Sequence, residues 1–277
     1  MLEQLGLGRC RIGIEFRHLS AEYFHELVDK FSAEFVPADD LLERTRAVKT
    51  PAEIALLRNA FLNTQDAIYE AWMDSHVGDS EKNVANRMTD EVSKRGADGV
   101  RHLTLASGGN TVHPHMHPSN RCLLPGDLIL TDFGATWDGF SSDMARMGIA
   151  GEARPKEDEE YRRYREAYVE VLHHLKPDVT AADVYTRCQT VFGDYGVPIS
   201  SPHVGHSVSR GGGHENPILH PGRQQILEPN MLIALEPIYK ASQTRRYHLE
   251  DLVLITDSGS AILTDWQSTE RMMTIPS

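Results

Sequence analysis

The chain has 277 residues, of which 40% are hydrophobic and 25% are charged, as in an ordinary globular protein. The formal net charge of −12 disfavours nucleic acid as a partner, because phosphate neutralisation needs a surplus of Lys and Arg on one face. The longest apolar run, 231–235, is far shorter than the roughly 20 residues that span a bilayer, so we expect no membrane partner.

The N-terminal residues and the cysteines indicate the compartment. Charged residues such as Glu3 and Arg11 leave no apolar segment for a secretory signal. Cys10, Cys122 and Cys188 are odd in number and have no CxxC spacing, which argues against a disulfide framework and a thiolate metal site. We therefore expect reduced core cysteines in a cytoplasmic protein.

Residues 1–49 are predicted to form a small α/β piece, with a strand at 11–15, a helix at 21–31 and a strand at 34–37. The sequence Thr50-Pro51-Ala52-Glu53 then supplies an N-cap, a proline at the first helical position and a capping-box glutamate. A larger domain is therefore predicted to begin at residue 50 and to extend to residue 277.

The first helix of this domain is predicted by an apolar stripe of Ile54, Leu57, Phe61, Ile68 and Trp72. Ser80 begins a second helix, which should end near Lys94. The later elements are strands at 103–106, 127–133 and 139–148, helices at 155–175 and from Thr180, and strands at 231–239 and 248–256. Two helices followed by a hairpin therefore occur twice.

Four acidic residues fall at corresponding points of the two halves. Asp132 and Glu236 are 104 residues apart, and Asp143 and Glu250 are 107 residues apart. This indicates a weak internal duplication of architecture. Because side chains alternate along a strand, each carboxylate interrupts an apolar face.

Taken singly, each of these acidic residues has an ordinary explanation, as an exposed carboxylate or one paired with arginine. Four carboxylates inside one sheet need protons, arginines or cations, because buried like charges without partners are costly. Cations fit best. Carboxylates with one imidazole suit Mn²⁺, Co²⁺, Fe²⁺ or Zn²⁺, and four carboxylates can bridge two ions about 3.5–4 Å apart. We expect two divalent metal ions, with Mn²⁺ favoured.

Residues 132–146, DFGATWDGFSSDMAR, resemble the D-x-G and G-[YF]-x-S-D-x-x-R hairpin of the pita-bread metallopeptidases, which include methionine aminopeptidase, aminopeptidase P, prolidase and creatinase-like enzymes. The segments 235–237 and 249–251 resemble the E-P and E-D strands of that family. The resemblance implies an α+β pita-bread fold, in which a pseudo-twofold curved antiparallel sheet is covered by helices. It also implies that Asp132, Asp143, Glu236 and Glu250 are metal ligands.

The resemblance runs from residue 51 to about residue 265. Residues 1–49 resemble only the second half of a creatinase-type N-terminal domain, so they are interpreted as a remnant of it. In relatives that domain helps to cover the active site of a neighbouring subunit. The resemblance therefore implies a homodimer. The shortening of the N-terminal domain could change the geometry of that dimer and the size of the substrate.

Residues 203–217 resemble the family's H-x-x-G-H-G-x-G segment followed by H-E-x-P. The family's ligand histidine follows the first histidine by four, whereas His206 follows His203 by three. A bulge in this strand would bring His206 to the metal, and the other register would leave Ser207 facing it. We favour His206. Lone histidines are more often ordinary residues than ligands, and His113 and His117 are interpreted in that way.

The resemblance implies a mechanism in which metal ions activate a water that attacks the scissile carbonyl. His115, which resembles the family's substrate-contacting histidine, and His214 would stabilise the oxyanion or hold the substrate. His203 would orient the substrate, and Glu236 would carry a proton to the leaving amine. The usual arginine two residues before the last ligand is replaced by His248.

The favoured function is a metallohydrolase of a small amide or peptide, most consistent with an Xaa-Pro dipeptidase or an aminopeptidase P. Two alternatives stay open at this point. One is a non-peptidase relative, resembling creatinase, ectoine hydrolase or the dimethylsulfoniopropionate lyases, that acts on a small metabolite. The other is a pita-bread binding module without catalysis.

Overall fold

The structure is a computed structural model that describes residues 4–7, 9–211, 213–264 and 266–277. The chain divides into two units, Met1–Ala47 and Val48–Ser277. The interpretation of residues 1–49 as a remnant of a creatinase-type domain stays a prediction.

The first unit contains a parallel pair of strands, β1 (Arg11–Ile14) and β2 (Glu34–Pro37), with helix α1 (Ala21–Lys30) between them in sequence. These three elements confirm the sequence prediction. A second helix, α2 (Asp39–Ala47), escapes it because this polar segment has little apolar periodicity. The sequence signal for this helix is electrostatic. Acidic residues in the first turn and basic residues in the last turn interact favourably with the helix dipole.

The second unit contains helices and short strands in the predicted order. Its described elements are α3 (Pro51–Met73), α4 (Glu81–Lys94), β3 (Gly99–Ser107), β4 (Leu128–Trp137), β5 (Phe140–Ser141), β6 (Met144–Ala150), α5 (Pro155–Leu172), α6 (Ala181–Asp194), β7 (Gly205–Ser207), β8 (Leu232–Leu235), β9 (Ile238–Lys240), β10 (Arg246–His248), β11 (Asp251–Ile255), β12 (Ser260–Ile262) and β13 (Met273–Ile275). Thr50 and Glu53 form the predicted capping box, which starts α3.

The predicted apolar stripe of α3 faces the core. Leu57, Phe61, Ile68 and Trp72 are fully buried, and Ile54 packs partly buried at its edge. The same core cluster includes Phe133 of β4, so this helix covers the sheet that carries the acidic hairpin.

The two halves of the second unit have corresponding sheets. One has the strand order β3-β4-β6-β13 and the other has the order β7-β8-β11-β12. In each, the second strand is antiparallel to both of its neighbours. Each sheet follows a pair of helices in the chain, so the duplication of layout predicted from the acidic positions is present.

Three predicted strands are interrupted where carboxylates lie. The strands predicted at 139–148, 231–239 and 248–256 break at Asp143, Glu236 and Glu250, respectively. The expectation of continuous alternation is wrong at these points. Pro237 lacks the N–H that would continue its ladder. The Glu250 N–H instead donates to the Ala145 carbonyl at 3.1 Å, which links the second sheet to the first.

Two further observations concern the cysteines and the helices. Cys188 is buried as expected, but Cys10 and Cys122 are exposed, so the prediction that all three are core residues is wrong. Among the described residues, none of the helices combines the length and the apolar character needed to cross a bilayer.

A buried ion pair lies behind the acidic hairpin. The Arg146 guanidinium contacts Asp251 at 2.7 Å, and both side chains are at most 1% exposed. Arg146 also donates to the carbonyl of Glu250 at 2.9 Å. The Tyr168 hydroxyl donates to the second carboxylate oxygen of Asp251 at 3.2 Å. This network fixes the backbone on both sides of Glu250, because Asp251 is its neighbour.

Replacing Arg146 by methionine should reduce the free energy of unfolding by about 3–5 kcal/mol, because Asp251 would be left as an uncompensated buried charge. Urea denaturation measures the change. Arg162→Met is the matched control, since Arg162 pairs with Glu159 and Glu166 on an exposed helix face. That variant should lose less than about 1 kcal/mol. Equal losses in the two variants would contradict the assignment of Arg146 to the buried network.

Candidate metal centre

The four predicted carboxylates converge from both halves of the second unit. Asp132 lies in β4 and is half-buried, whereas Asp143, Glu236 and Glu250 are at most 6% exposed. Three of the four lie at strand breaks, where the chain is free to turn its side chain inward instead of alternating between faces.

His206 projects from β7 into this group of carboxylates. Its Nε2 atom lies 3.7 Å from Asp143 Oδ2, 3.5 Å from Glu236 Oε1 and 3.6 Å from Glu250 Oε1. Its Nδ1 atom lies 3.0 Å from the carbonyl of Ser207, an acceptor, so Nδ1 carries the proton and donates it. The Nε2 atom therefore is the ring nitrogen that faces the three carboxylates, and in a neutral imidazole its lone pair would be available to an ion.

These atoms fit a divalent cation. The fully buried His206 Nε2, Glu236 Oε1 and Glu250 Oε1 have no hydrogen-bond partner among the described residues. Ligands about 2.1 Å from a common ion lie about 3–3.5 Å from one another, close to the separations seen here. Buried polar atoms without partners are costly, and a bound ion would remove that cost.

His206 reaches the centre, but not through the bulge that the sequence predicted. The strands β7 and β8 pair residue by residue, so the predicted bulge in this strand is wrong for that ladder. The irregularity lies on the other edge of β7, where the Ser207 N–H is within hydrogen-bond distance of the carbonyls of Glu215 and Pro217. The Ser207 hydroxyl accepts from Lys49 Nζ at 2.6 Å and so has a partner of its own.

The carboxylates perturb one another strongly. Burial raises the pKa of Glu250 well above its usual value, and repulsion from Asp143 and Glu236 adds to the effect. Burial also opposes ionisation of Glu236, but the imidazoles of His203, His248 and His206 hold its pKa well below the usual value. Cations, whether imidazolium or metal, are therefore what this group of charges requires.

One residue of this centre escapes the sequence prediction. His102, in β3, places Nε2 at 2.9 Å from Asp132 Oδ1 and at 3.0 Å from Asp143 Oδ1. Burial alone would lower the pKa of His102, but the two carboxylates raise it to about 10. A signal existed in the chain, because His102 and His206 are 104 residues apart, as are Asp132 and Glu236.

The remaining predicted site residues surround a cavity of about 380 Å³ beside the carboxylates. The His203 Nδ1 atom lies 3.3 Å from Glu236 Oε1, and the His214 ring stacks on His206 with centroids 3.8 Å apart. Desolvation and the adjacent His206 lower the pKa of His214 to about 4, so this imidazole is neutral. His115 lines the same cavity with a backbone φ of 52°, a conformation common where function constrains the chain.

His248 occupies the place where the resemblance led us to expect an arginine. Its Nε2 atom lies 3.3 Å from Glu236 Oε2, and the side chain is buried. The histidine at this place therefore keeps a side-chain nitrogen next to Glu236, as the expected arginine would. Arg246, two residues earlier on β10, lines the cavity.

Comparison with known proteins identifies the family. The model of metallopeptidase family M24 matches residues 55–257. The chain belongs to this family. An uncharacterized peptidase of Bacillus subtilis strain 168, YqhT, is 32% identical over 238 residues, which are 84% of this chain and 66% of that protein. The Xaa-Pro dipeptidase of Pyrococcus horikoshii is 29% identical over 265 residues, which are 94% of this chain and 74% of that protein.

A solved structure shows the same fold over nearly the whole chain. The X-Pro aminopeptidase of Thermotoga maritima MSB8 superposes with a TM-score of 0.92 at 24% identity, covering 99% of this chain and 76% of that one. The prediction of an α+β pita-bread fold is confirmed, as is membership in the pita-bread metallopeptidases. M24 enzymes use divalent metals, and the clustered carboxylates and imidazoles of this chain could hold them. The ligand role of each side chain stays a prediction.

Replacing Glu250 by glutamine should abolish most of the stabilisation that Mn²⁺ gives without harming the metal-free protein. Glutamine matches the uncharged form that burial favours at this position, so the metal-free melting temperature should stay within about 2 °C of wild type. At a hundredfold excess over its Kd, a bound ion stabilises by about 2.7 kcal/mol, and the variant should lose more than half of that increment.

Thermal unfolding with chelator and with Mn²⁺ measures the increment. Glu159→Gln, on the exposed face of α5, is the control and should keep the full Mn²⁺ effect. An undiminished Mn²⁺ effect in Glu250→Gln would exclude Glu250 as a ligand.

Proposed function

We propose that the chain is a metal-dependent peptidase of Xaa-Pro dipeptides. The observation that carries the proposal is the convergence of His206 Nε2 with three buried carboxylate oxygens at 3.5–3.7 Å. The Xaa-Pro dipeptidase that matches 94% of this chain supports the choice of substrate.

We further propose two divalent ions, with Mn²⁺ as the native metal, held by Asp132, Asp143, His206, Glu236 and Glu250. Four carboxylates with a single imidazole support Mn²⁺, which prefers carboxylates to soft ligands. When bound, such ions polarise a carbonyl and supply an activated water. A cytoplasmic homodimer completes the proposal; the odd number of cysteines supports the compartment and the resemblance supports the dimer.

The side chains around the cavity have proposed roles in this reaction. Glu236 contacts imidazoles through both oxygens, so it can take a proton and pass it to the leaving amine. His214, neutral and stacked on His206, can donate a hydrogen bond from its ring N–H to an oxyanion. His203 and His115 line the cavity where the substrate would be oriented.

The cavity also has a cationic wall that suits a free carboxylate. Lys240 and Arg246 line it, and Arg246 Nε is buried with no hydrogen-bond partner among the residues described. Burial lowers the pKa of Arg246, but Asp132 and Glu236 oppose the shift and an arginine stays charged. A guanidinium that is partly desolvated and aimed into a cavity binds carboxylates well. A dipeptide places its terminal carboxylate one residue from the scissile bond, which fits this small volume.

The substrate class is tested with a panel of Xaa-Pro dipeptides on Mn²⁺-loaded protein. We expect proline release that stops on chelation and returns with Mn²⁺. If every Xaa-Pro dipeptide stays intact while a small amide metabolite is hydrolysed, the peptidase proposal fails and the creatinase-like alternative replaces it. Stoichiometric metal without any turnover would favour the binding module.

The carboxylate-binding wall is tested with Arg246→Met. For Ala-Pro, kcat/KM should fall about 10- to 100-fold, because a hydrogen bond to a charged group contributes about 1.5–3 kcal/mol. For the amide of Ala-Pro, the fall should be less than about threefold, since that substrate has no terminal charge.

The control is Lys82→Met, at an exposed position of α4, which should leave both substrates unaffected. Equal losses on the acid and on the amide would show that Arg246 does not bind the carboxylate.

A further inference from the structure

The candidate metal centre has a second imidazole, contributed by the sheet of the first half of the unit. His102 lies on β3, the first strand of its sheet, and His206 lies on β7, the first strand of the corresponding sheet. Each contacts two or more carboxylates: His102 contacts Asp132 and Asp143, whereas His206 faces Asp143, Glu236 and Glu250.

The two histidines correspond in sequence as well as in position. The offset of 104 residues between His102 and His206 equals the offset between Asp132 and Glu236. In the two ladders, His102 pairs with Gly134 and His206 pairs with Ala234, each two residues from an acidic residue of the centre. The duplicated layout therefore places one imidazole and its carboxylates in each half.

The local packing holds His102 in place. A β-carbon added to Gly134 would lie 2.4 Å from His102 Cε1 and 2.5 Å from the carbonyl of Ser142. No other residue type fits there, since real side chains never approach so closely. The glycine of the D-x-G motif thus makes room for the ring. As a result, Nε2 lies 2.9–3.0 Å from two carboxylate oxygens, a separation that ligands of one ion also have.

We propose that His102 is a metal ligand, which completes one ion position with Asp132 and Asp143, while His206, Glu236 and Glu250 complete the other. These two sets are among four groups of side chains whose possible ligand atoms lie within 4.8 Å of one another in the described part of the chain, and the other two groups include His214. Asp143 contacts both imidazoles, so it bridges the two positions. Each ion then has one nitrogen ligand, and neutral imidazole with carboxylates is a donor set that Mn²⁺, Fe²⁺, Co²⁺ and Zn²⁺ all accept. The inference rests on the proposed metal-dependent function.

In the rival arrangement, His102 makes the same contacts but carries a positive charge. His102 could act as an imidazolium that replaces one of the two ions by pairing with Asp132 and Asp143. The two arrangements differ in stoichiometry, because the ligand predicts two ions for the wild type and the imidazolium predicts one. The two arrangements also differ in the effect of removing the His102 ring. Loss of an imidazolium would open a position for a metal ion, whereas loss of a ligand would weaken the binding of an ion at that position.

Equilibrium dialysis of full-length protein with Mn²⁺, followed by elemental analysis, tests the proposal. The wild type should bind two ions, and His102→Ala should bind one of them at least roughly tenfold more weakly, as even outer partners of ligands have effects of that size. His173→Ala is the control, because His173 is exposed at the end of α5. It should bind both ions as the wild type does.

A second variant gives a signature that a merely structural role would not produce. Cysteine at a ligand position coordinates Co²⁺ as thiolate and gives a near-ultraviolet charge-transfer band. His102→Cys loaded with Co²⁺ should show this band, whereas His173→Cys should not. The native cysteines are common to both proteins and cancel in the difference.

Three outcomes would overturn the proposal. Unchanged binding of two ions by His102→Ala, with no band in His102→Cys, would leave the peptidase proposal standing and remove His102 from the centre. A single ion in the wild type and two in His102→Ala would assign His102 as an imidazolium. A wild-type protein that binds no ion would refute both the metal-dependent function and the ligand.

Discussion

Mutual repulsion among buried carboxylates is the constraint on which the second unit depends. Asp143, Glu236 and Glu250 lie within reach of a single imidazole nitrogen, and each is at most 6% exposed. Such a group is unstable unless positive charge lies among its members, since desolvation and like charge act in the same direction. The strand breaks, the buried Arg146–Asp251 pair and the converging histidines all serve to hold these groups at short range against that repulsion.

The duplicated architecture explains how one chain brings them together. Each half supplies two helices that cover a sheet, and each sheet turns its acidic hairpin towards the same centre. The Glu250 N–H that donates to Ala145 joins the two sheets at that point. Arg146, on the first sheet, reinforces the joint because it binds both the Glu250 carbonyl and the Asp251 carboxylate at the start of a strand of the second sheet. Backbone and charge are therefore fixed by the same few residues.

The sequence predicts the larger features and misses those that depend on tertiary contacts. The capping box at Thr50, the apolar stripe of α3 and the acidic spacing are local patterns, and they predict the helices, the hairpins and the family. The strand break at Glu250 depends on a hydrogen bond to the distant backbone of Ala145, which no local pattern encodes, whereas Pro237 is a local signal for the break after Glu236. The register of β7 depends likewise on the segment 215–219. His102 lay outside every predicted strand and family motif, although its spacing from His206 could have revealed it.

The charges of the centre and of the cavity wall together bear on the charge of the substrate that the cavity would accept. The four carboxylates carry a formal charge of −4 when all of them are ionised, and the two proposed divalent ions would balance that charge. Lys240 and Arg246 place positive charge on the wall of the cavity. In the proposed reaction, this wall would attract a substrate with one free carboxylate. Under the proposed function, metal ions would therefore favour the binding of an anionic peptide as well as its hydrolysis, because they would offset the negative charge of the carboxylates beside it.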